Sequence, residues 1–319
     1  MRREQIIKSI KIAVAAILAI GVASVLELKF QSTAGIITIL SIQNTKRETL
    51  KSARNRGLAF LCAIVLSVFL FSLLGFNLFA FGLYLLIFCL ICLRFSWVEA
   101  IAMDSVLITH LLTEESYSMS IVMNESLLFM IGTGMGVLVN MYLRKQGNYY
   151  ETLAEEVDGN MKNVLQKIYL QLLEDDTQEY DEGCLMKLEK SLDIAKECAI
   201  ENLNNSLLSQ DTYELEYVQM REQQSRILRE IYMNIKRITY LPTQASTIVR
   251  LMQEIEQGYH KHNAVEGLLE KLEAFYLELK DEPLPSVRDE FEARAILFYI
   301  LIELRKLLEI KREFILNQI

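Results

Sequence analysis

GLAFLCAIVLSVFLFSLLGFNLFAFGLYLLIFCLICL, residues Gly57–Leu93, runs 37 positions without one charged side chain and is bracketed by Arg56 and Arg94. A helix crosses a hydrocarbon core of about 30 Å with about 20 apolar residues, so this stretch is far too long for one span. It fits two helices joined by a tight turn, and Leu74-Gly75-Phe76-Asn77 near its middle supplies that turn. A hairpin returns both bracketing arginines to one side, which the positive-inside tendency makes the cytoplasm. The sequence therefore predicts an integral membrane protein and fixes part of its orientation.

Outward from that stretch the chain divides sharply. Residues 1–146 carry 13 Lys and Arg against 8 Asp and Glu, a net of +5, whereas residues 147–319 carry 20 against 33, a net of −13. All three prolines (Pro242, Pro283 and Pro285) lie in the second part. A basic apolar half followed by an acidic amphipathic half predicts two domains, 1–146 in the membrane and 147–319 outside it. Of the five cysteines, Cys62, Cys89 and Cys92 sit in apolar spans, and Cys184 and Cys198 lie on an amphipathic helical stretch. They read as small buried hydrophobes, since Cys89-x-x-Cys92 lacks the further ligands of a zinc site. His260-Lys261-His262 is no better, because imidazoles two apart on a helix point to different faces. No metal is expected.

The apolar segments at 8–26, 31–45, 57–75, 76–93, 96–113 and 121–143 are the candidate spans. Arg2, Arg3, Lys8 and Lys11 precede the first, which reads as an uncleaved span because further apolar segments follow at once. The second offers only 16 uncharged residues between Lys29 and Lys46, about 24 Å as a helix. It must nevertheless cross if the basic N-terminus and the cluster Lys46, Arg47, Lys51, Arg54, Arg56 share one side. The fifth carries Glu99, Asp104 and His110, yet it too must cross to leave Arg144 and Lys145 inside. Six spans with both termini cytoplasmic satisfy the charge bias. Beyond residue 147, apolar residues recur at helical spacing, as in Leu188, Leu192, Ala195 and Ala199 or Ile227, Ile231, Ile235 and Ile238. Asp211-Thr-Tyr-Glu214 has the spacing of a capping box. The expected fold is all-α, a six-helix transmembrane bundle followed by a soluble cytosolic helical bundle. No phosphate loop, nucleophile elbow or zinc spacing marks an enzyme.

Chemistry is expected where the spans fail to be purely apolar. Thr38, Ser41, Thr45 and Thr49 recur at helical spacing on one face, with Gln43 and Asn44 beside them and cations following. They either line a polar path or bond back to their own helix while the cations meet anionic lipid headgroups. Asp104 falls near the middle of the fifth span, where a carboxylate must be protonated, paired or hydrated, which makes it a candidate proton-coupling group. Glu99 is a second such candidate, or an interfacial residue paired with Arg94. His110 lies near the outer end, in contact with solvent. Gly132 and Gly136 in the sixth span form a Gly-x-x-x-Gly pair for close packing, within the subunit or between subunits.

The run Thr33-Ala-Gly-Ile-Ile-Thr-Ile-Leu-Ser-Ile-Gln-Asn-Thr-Lys-Arg-Glu-Thr49, with Arg54-Asn-Arg56-Gly57 after it, resembles the aromatic acid exporter family of bacteria. That family is related to the fusaric-acid-resistance transporters. The resemblance implies six spans and a C-terminal cytosolic helical domain. It points to Gln43, Lys46, Arg47, Arg54, Arg56 and Gly57 as the signature segment, and to a homodimer or higher oligomer, because larger relatives carry two membrane units. The expectation is export of small organic, aromatic carboxylate anions across the bacterial plasma membrane, with proton coupling. Thr38 and Ser41 would line the path. No cofactor or nucleic acid is expected. Two other readings compete: a passive anion channel, and a membrane-anchored helical bundle that binds a partner or senses a ligand.

Overall fold

The computed structural model describes residues 2–141, 147–173, 182–206, 211–258 and 265–318. Arg144, Lys145 and the His260-Lys261-His262 run lie outside them. The described residues are all-helical, without a strand. The chain forms two compact units, Met1–Lys145 with Asn204–Ser209 and Gln146–Leu203 with Gln210–Ile319.

The first unit contains α1 (Arg2–Val25), α2 (Ser32–Ser41), α3 (Lys46–Leu74), α4 (Leu78–Phe95), α5 (Ile101–Thr113) and α6 (Met119–Met141), with a 3-10 turn at Val98–Ala100 before α5. By length and composition α3, α4 and α6 are each able to cross a membrane. The turn expected within the uncharged stretch is present. α3 stops at Leu74, Gly75 takes a φ of +76° that an L side chain rarely adopts, and Asn77 caps α4 by accepting the Ala80 N–H at 2.9 Å. Inward faces follow helical spacing, Ala59, Ala63, Ser67 and Leu70 on α3 against Ala80, Tyr84, Phe88 and Cys92 on α4. Leu61, Val65, Phe69 and Leu73 point away from this core and are exposed. A row of exposed leucine, valine and phenylalanine opposite a packed face is what lipid contact requires.

One expectation about the short second segment needs correction. The row of hydroxyls does not lie on one helix: α2 ends at Ser41, Ile42 is extended, and Thr45 caps the separate helix α3 through the Glu48 N–H. The physical reason is the capping box Thr45-Lys-Arg-Glu48, which starts a helix eleven residues before the uncharged stretch and makes the basic loop helical. α2 therefore has 10 residues, about 15 Å. Flanked by α1 and α6, it buries Ala34, Gly35, Ile37, Thr38 and Ser41.

The α6 glycines are what let this short helix come so close. A Cβ on Gly132 would stand 2.5 Å from the Ile37 Cβ and 2.8 Å from the Ala34 carbonyl oxygen, and one on Gly136 2.6 Å from the Ser41 Cβ. The Gly-x-x-x-Gly face thus packs within the subunit. Gly134, between them, faces open space.

The second unit contains α7 (Gly147–Gln171), α8 (Gly183–Asn205), α9 (Tyr213–Ile235), α10 (Ala245–Gln257), α11 (Glu266–Asp281) and α12 (Arg288–Leu316) around one aliphatic core. Leu188, Leu192, Ala195 and Ala199 are buried in it, as their spacing predicts. The Asp211–Glu214 box does not form: Thr212 is the N-cap, and Asp211 accepts from the Tyr213 N–H while Glu214 takes an Asn202 amide. A polar network runs through the core. Arg221, fully buried on α9, meets the Asp158 carboxylate at 2.9 Å, the Tyr217 hydroxyl at 3.0 Å and the Gln224 amide oxygen at 2.8 Å. Gln224 passes the bond on to the Leu307 carbonyl at 2.7 Å. Lys311 on α12 is buried beside it, and desolvation, with repulsion from Arg221, pushes its ammonium down to about 8 against the opposing pull of Asp158.

Two stability outcomes follow. Gly132→Val overpacks the α2–α6 contact and should cost about 1–3 kcal/mol, whereas Gly134→Ala should be near neutral. Thermal unfolding of the purified protein in detergent measures both, and equal effects would contradict the close approach. Lys311→Met removes a buried charge. Because the folded-state pKa of Lys311 is below its ordinary value of 10.5, the unfolded chain binds more protons between about pH 8 and that value, and native stability rises there. The substitution should raise the melting temperature of the helical domain at pH 7, with the gain shrinking as pH climbs above 8.

Candidate functional site

The break between α2 and α3 turns the end of one helix toward the first turns of the next. On α3, Glu48, Ser52, Asn55 and Arg56 recur at i, i+4, i+7 and i+8, so they share one face. This face, the segment Gln43–Asn44 and the turn at Trp97–Ala100 enclose a cleft of about 340 Å³. Lys51 and Glu48 lie at its rim, Arg56 at its floor and Trp97 along its wall. Trp97 is held by stacking on Phe95, with centroids 5.1 Å apart.

Arg56 is the decisive side chain, a guanidinium only 4% exposed. Its Nη1 donates to Ser41 Oγ at 3.3 Å and touches Met103 Sδ at 3.8 Å, while Nη2 lies 3.7 Å from Glu99 Oε2. Its Nε is buried with no hydrogen-bond partner. The same Glu99 oxygen takes the Ser52 hydroxyl at 2.5 Å and the Gln43 amide at 3.4 Å. Glu99 is thus paired with Arg56 and not with Arg94. The Val98–Ala100 turn carries it to the cleft, off the α5 face that a continuous fifth helix would have given it. Behind the floor, Asn140 of α6 donates to the Gln43 carbonyl at 2.8 Å and to the Thr49 hydroxyl, tying the α2–α3 connection to α6. Asp104, one residue beyond Met103, is fully buried, and neither carboxylate oxygen accepts a hydrogen bond. The Arg56 guanidinium is the opposite charge that acts on it.

The structure brings together Ser41, Gln43, Arg56 and Glu99. It does not bring Thr38, Lys46, Arg47 or Arg54 to the same cleft. Thr38 is sealed beneath Gly136 and bonds back to the Ala34 carbonyl at 2.8 Å, while Arg47 and Arg54 face outward. Asp104 lies behind the cleft floor. His110 is not simply solvated, as its place near the outer end leads one to expect: it is only 8% exposed, and its Nδ1 is 2.6 Å from Glu125 Oε2. Ser52, Asn55, Trp97 and Asn140 went unread. Their signal was present in the Thr45–Glu48 box, which makes Lys46–Arg56 helical and puts Ser52 and Asn55 on the Arg56 face.

Residues 5–143 match the family model described as "Aromatic acid exporter family member 1", and residues 149–312 match "Putative aromatic acid exporter C-terminal domain". The chain belongs to the aromatic acid exporter family. It is 30% identical over 307 residues to "Uncharacterized protein YqjA" of Bacillus subtilis (strain 168), covering 96% of this chain and 95% of that one. A solved structure described as "Crystal structure of putative membrane protein from Clostridium difficile 630" aligns at 26% identity with a TM-score of 0.47, covering 54% of this chain and 99% of that one. A member of this family with these apolar helices is a membrane protein of a transporter family.

The geometry has a direct test. In a background with the five native cysteines replaced, Lys51→Cys and Asn55→Cys should react rapidly with a water-soluble maleimide, and Thr38→Cys should not. Equal rates at all three positions would show that the cleft is not the water-filled surface described.

Proposed function

We propose that the protein exports small organic carboxylates, aromatic ones above all, from the bacterial cytoplasm, with the Arg56 cleft as the substrate-binding mouth. Buried Arg56 held against Glu99 is the observation that carries this reading. A guanidinium with little water around it binds a carboxylate strongly, and here an internal carboxylate occupies that place. An incoming acid would take over the bonds of Glu99 to Arg56 and Ser52, its ring lying along Trp97. Glu99, more than half exposed on its side-chain atoms, is free to swing toward water. Gln43 and Asn55 supply neutral donors for hydroxyl substituents, and Ser41 fixes the guanidinium from behind. Lys46, Arg47 and Arg54 act on the approaching anion as charge only.

The same reading gives the unit six crossings with both termini cytoplasmic, residues 147–319 forming a cytosolic helical bundle. α2 and α5 are too short to span about 30 Å as helices. They are tolerable because α2 packs one face against α1 and α6, leaves Ile36, Ile39 and Leu40 for lipid, and has its irregular flanks at the clefts. Asp104 is the inner coupling acid, its protonation set by whether Arg56 is engaged with substrate. One membrane unit per chain implies a homodimer or higher oligomer, surrounded by lipid.

Efflux of labelled hydroxybenzoates from cells with and without the protein tests the proposal, and no difference across a broad panel of organic anions would overturn it. Arg56→Gln should lower efflux about ten- to a hundred-fold, the equivalent of one charge-assisted hydrogen bond. Asp104→Asn should remove dependence on the pH gradient while leaving exchange of substrate intact. A reporter fused after residue 147 should read as cytoplasmic.

A further inference from the structure

At the opposite end of the membrane unit from Arg56, a second cleft of about 550 Å³ opens between the α1–α2 turn, the end of α5 and the start of α6. Its position follows from the helices shared with the first cleft. α2 runs from this turn to Ser41, α5 from Ile101 beside the first cleft to Thr113, and α6 from here to Asn140. At its floor Glu125, fully buried on α6, is bonded at 2.6 Å to Nδ1 of His110 on α5. The Phe30 ring lies flat on the imidazole, centroids 3.9 Å apart and planes 7° from parallel. Asn124 holds the Phe30 segment in place, taking the Lys29 N–H at 2.8 Å and donating to the Lys29 carbonyl and to Glu125 Oε1 at 2.9 Å.

We propose that His110 and Glu125 form a proton-binding site loaded from the water of this second cleft, the outer counterpart of Asp104 in the export cycle; its coupling role rests on the export reading. A contact of 2.6 Å between these atoms holds at least one proton, and with one the pair carries a net negative charge in a buried place. Uptake of a second proton from hydronium in the cleft leaves water behind, forms one new bond to hydrogen on the pair and makes it neutral. Burial favours the neutral state. The charged neighbours are few. Lys29 is neutralised by Glu114 at 2.6 Å, and Glu27 borders the cleft. Glu115 follows Glu114, and α3 and α4 bring no charge to this end because Gly57–Leu93 has none. Asp104 lies six residues back along α5, about 9 Å. Leu107, Ile108 and Leu111, all buried, occupy the α5 positions next to the pair. They line the α5 side of the way between the two acids with apolar groups, so movement across along this face needs a rearrangement of α5. That is the requirement for coupling without leak.

The chain has three histidines, so His260→Gln and His262→Gln leave one imidazole to follow by nitrogen NMR in lipid nanodiscs. Its ring-nitrogen signals should change when the bath is acidified, and both Glu125→Gln and the milder Glu125→Asp should alter that change. No response to acid, or the native response in both variants, would overturn the site. In proteoliposomes both variants should lose acceleration of hydroxybenzoate transport by a pH gradient yet retain exchange at zero gradient. Unchanged gradient dependence would overturn the coupling role. If the native protein moves no organic anion at all, the export reading fails, and the titration alone decides whether the proton site stands.

Discussion

A buried guanidinium at the edge of a hydrocarbon layer is the constraint on which this membrane unit is built. Arg56 stands immediately before 37 uncharged residues, on a helix that continues into them. Removing such a group from water without partners would cost more than any single packing contact returns. The irregularities at this end of the unit serve it. α2 stops at Ser41, whose hydroxyl then faces the guanidinium, the chain crosses over through Gln43, and the turn at Val98–Ala100 presents Glu99. Because α2 is short and sits close against α6, the glycines at 132 and 136 are part of the same arrangement, holding Ser41 where Arg56 can reach it.

The second unit solves the analogous problem with water close by. Arg221 is more completely buried than Arg56, yet its carboxylate, hydroxyl and amide partners stand on α7 and its own α9, with α12 receiving the last bond of the chain. Arg221 and Tyr217 are tied together three ways, by bonds from Nε and Nη2 and by the cation over the ring at 5.0 Å. This is a closed network, and the Tyr217 hydroxyl, whose ionisation burial pushes upward, stays a donor to Asp158. Around Arg56 the network is open by comparison. One guanidinium nitrogen and both Asp104 oxygens lack partners, and Glu99 reaches toward solvent. Closed networks fix a fold, whereas open ones in a cleft leave bonds for something that binds.

Hydropathy made much of this legible. The hairpin turn at Gly75 and Asn77, the all-helical class and the buried aliphatic face of α8 are each direct consequences of residue period and turn chemistry. The site was half legible. Arg56 and Glu99 stood out as charges flanking apolar runs, and Gln43 and Ser41 as polar residues in a short one. What periodicity could not reveal was that the hydroxyl row crosses a chain break. A 3.6-residue repeat persists through Ser41, Thr45 and Thr49 whether or not the backbone between them is helical. The opposing signal, Thr45 followed by Glu48, is local and competes with the reading of 31–45 as one span. The pairing of His110 with Glu125 was out of reach for a different reason, since it joins two helices through a contact that neither pattern encodes.

The internal ion pair also bears on selectivity in the proposed export reaction. Exchanging Glu99 for a substrate carboxylate keeps the charge count of the cleft constant, so Arg56 is never left bare and binding is not driven by net attraction. A halide would also neutralise the guanidinium, but it is a bare sphere with no ring to bring to the cleft in which Glu99 serves Arg56, Ser52 and Gln43. A carboxylate replaces those bonds like for like, and a flat ring gains the Trp97 face that an aliphatic chain uses less well. The strongly acidic second half of the chain works against an anion's approach. Screening over about 8 Å confines that repulsion, so in the proposed reaction the cations near Arg56 and the cleft itself decide what binds.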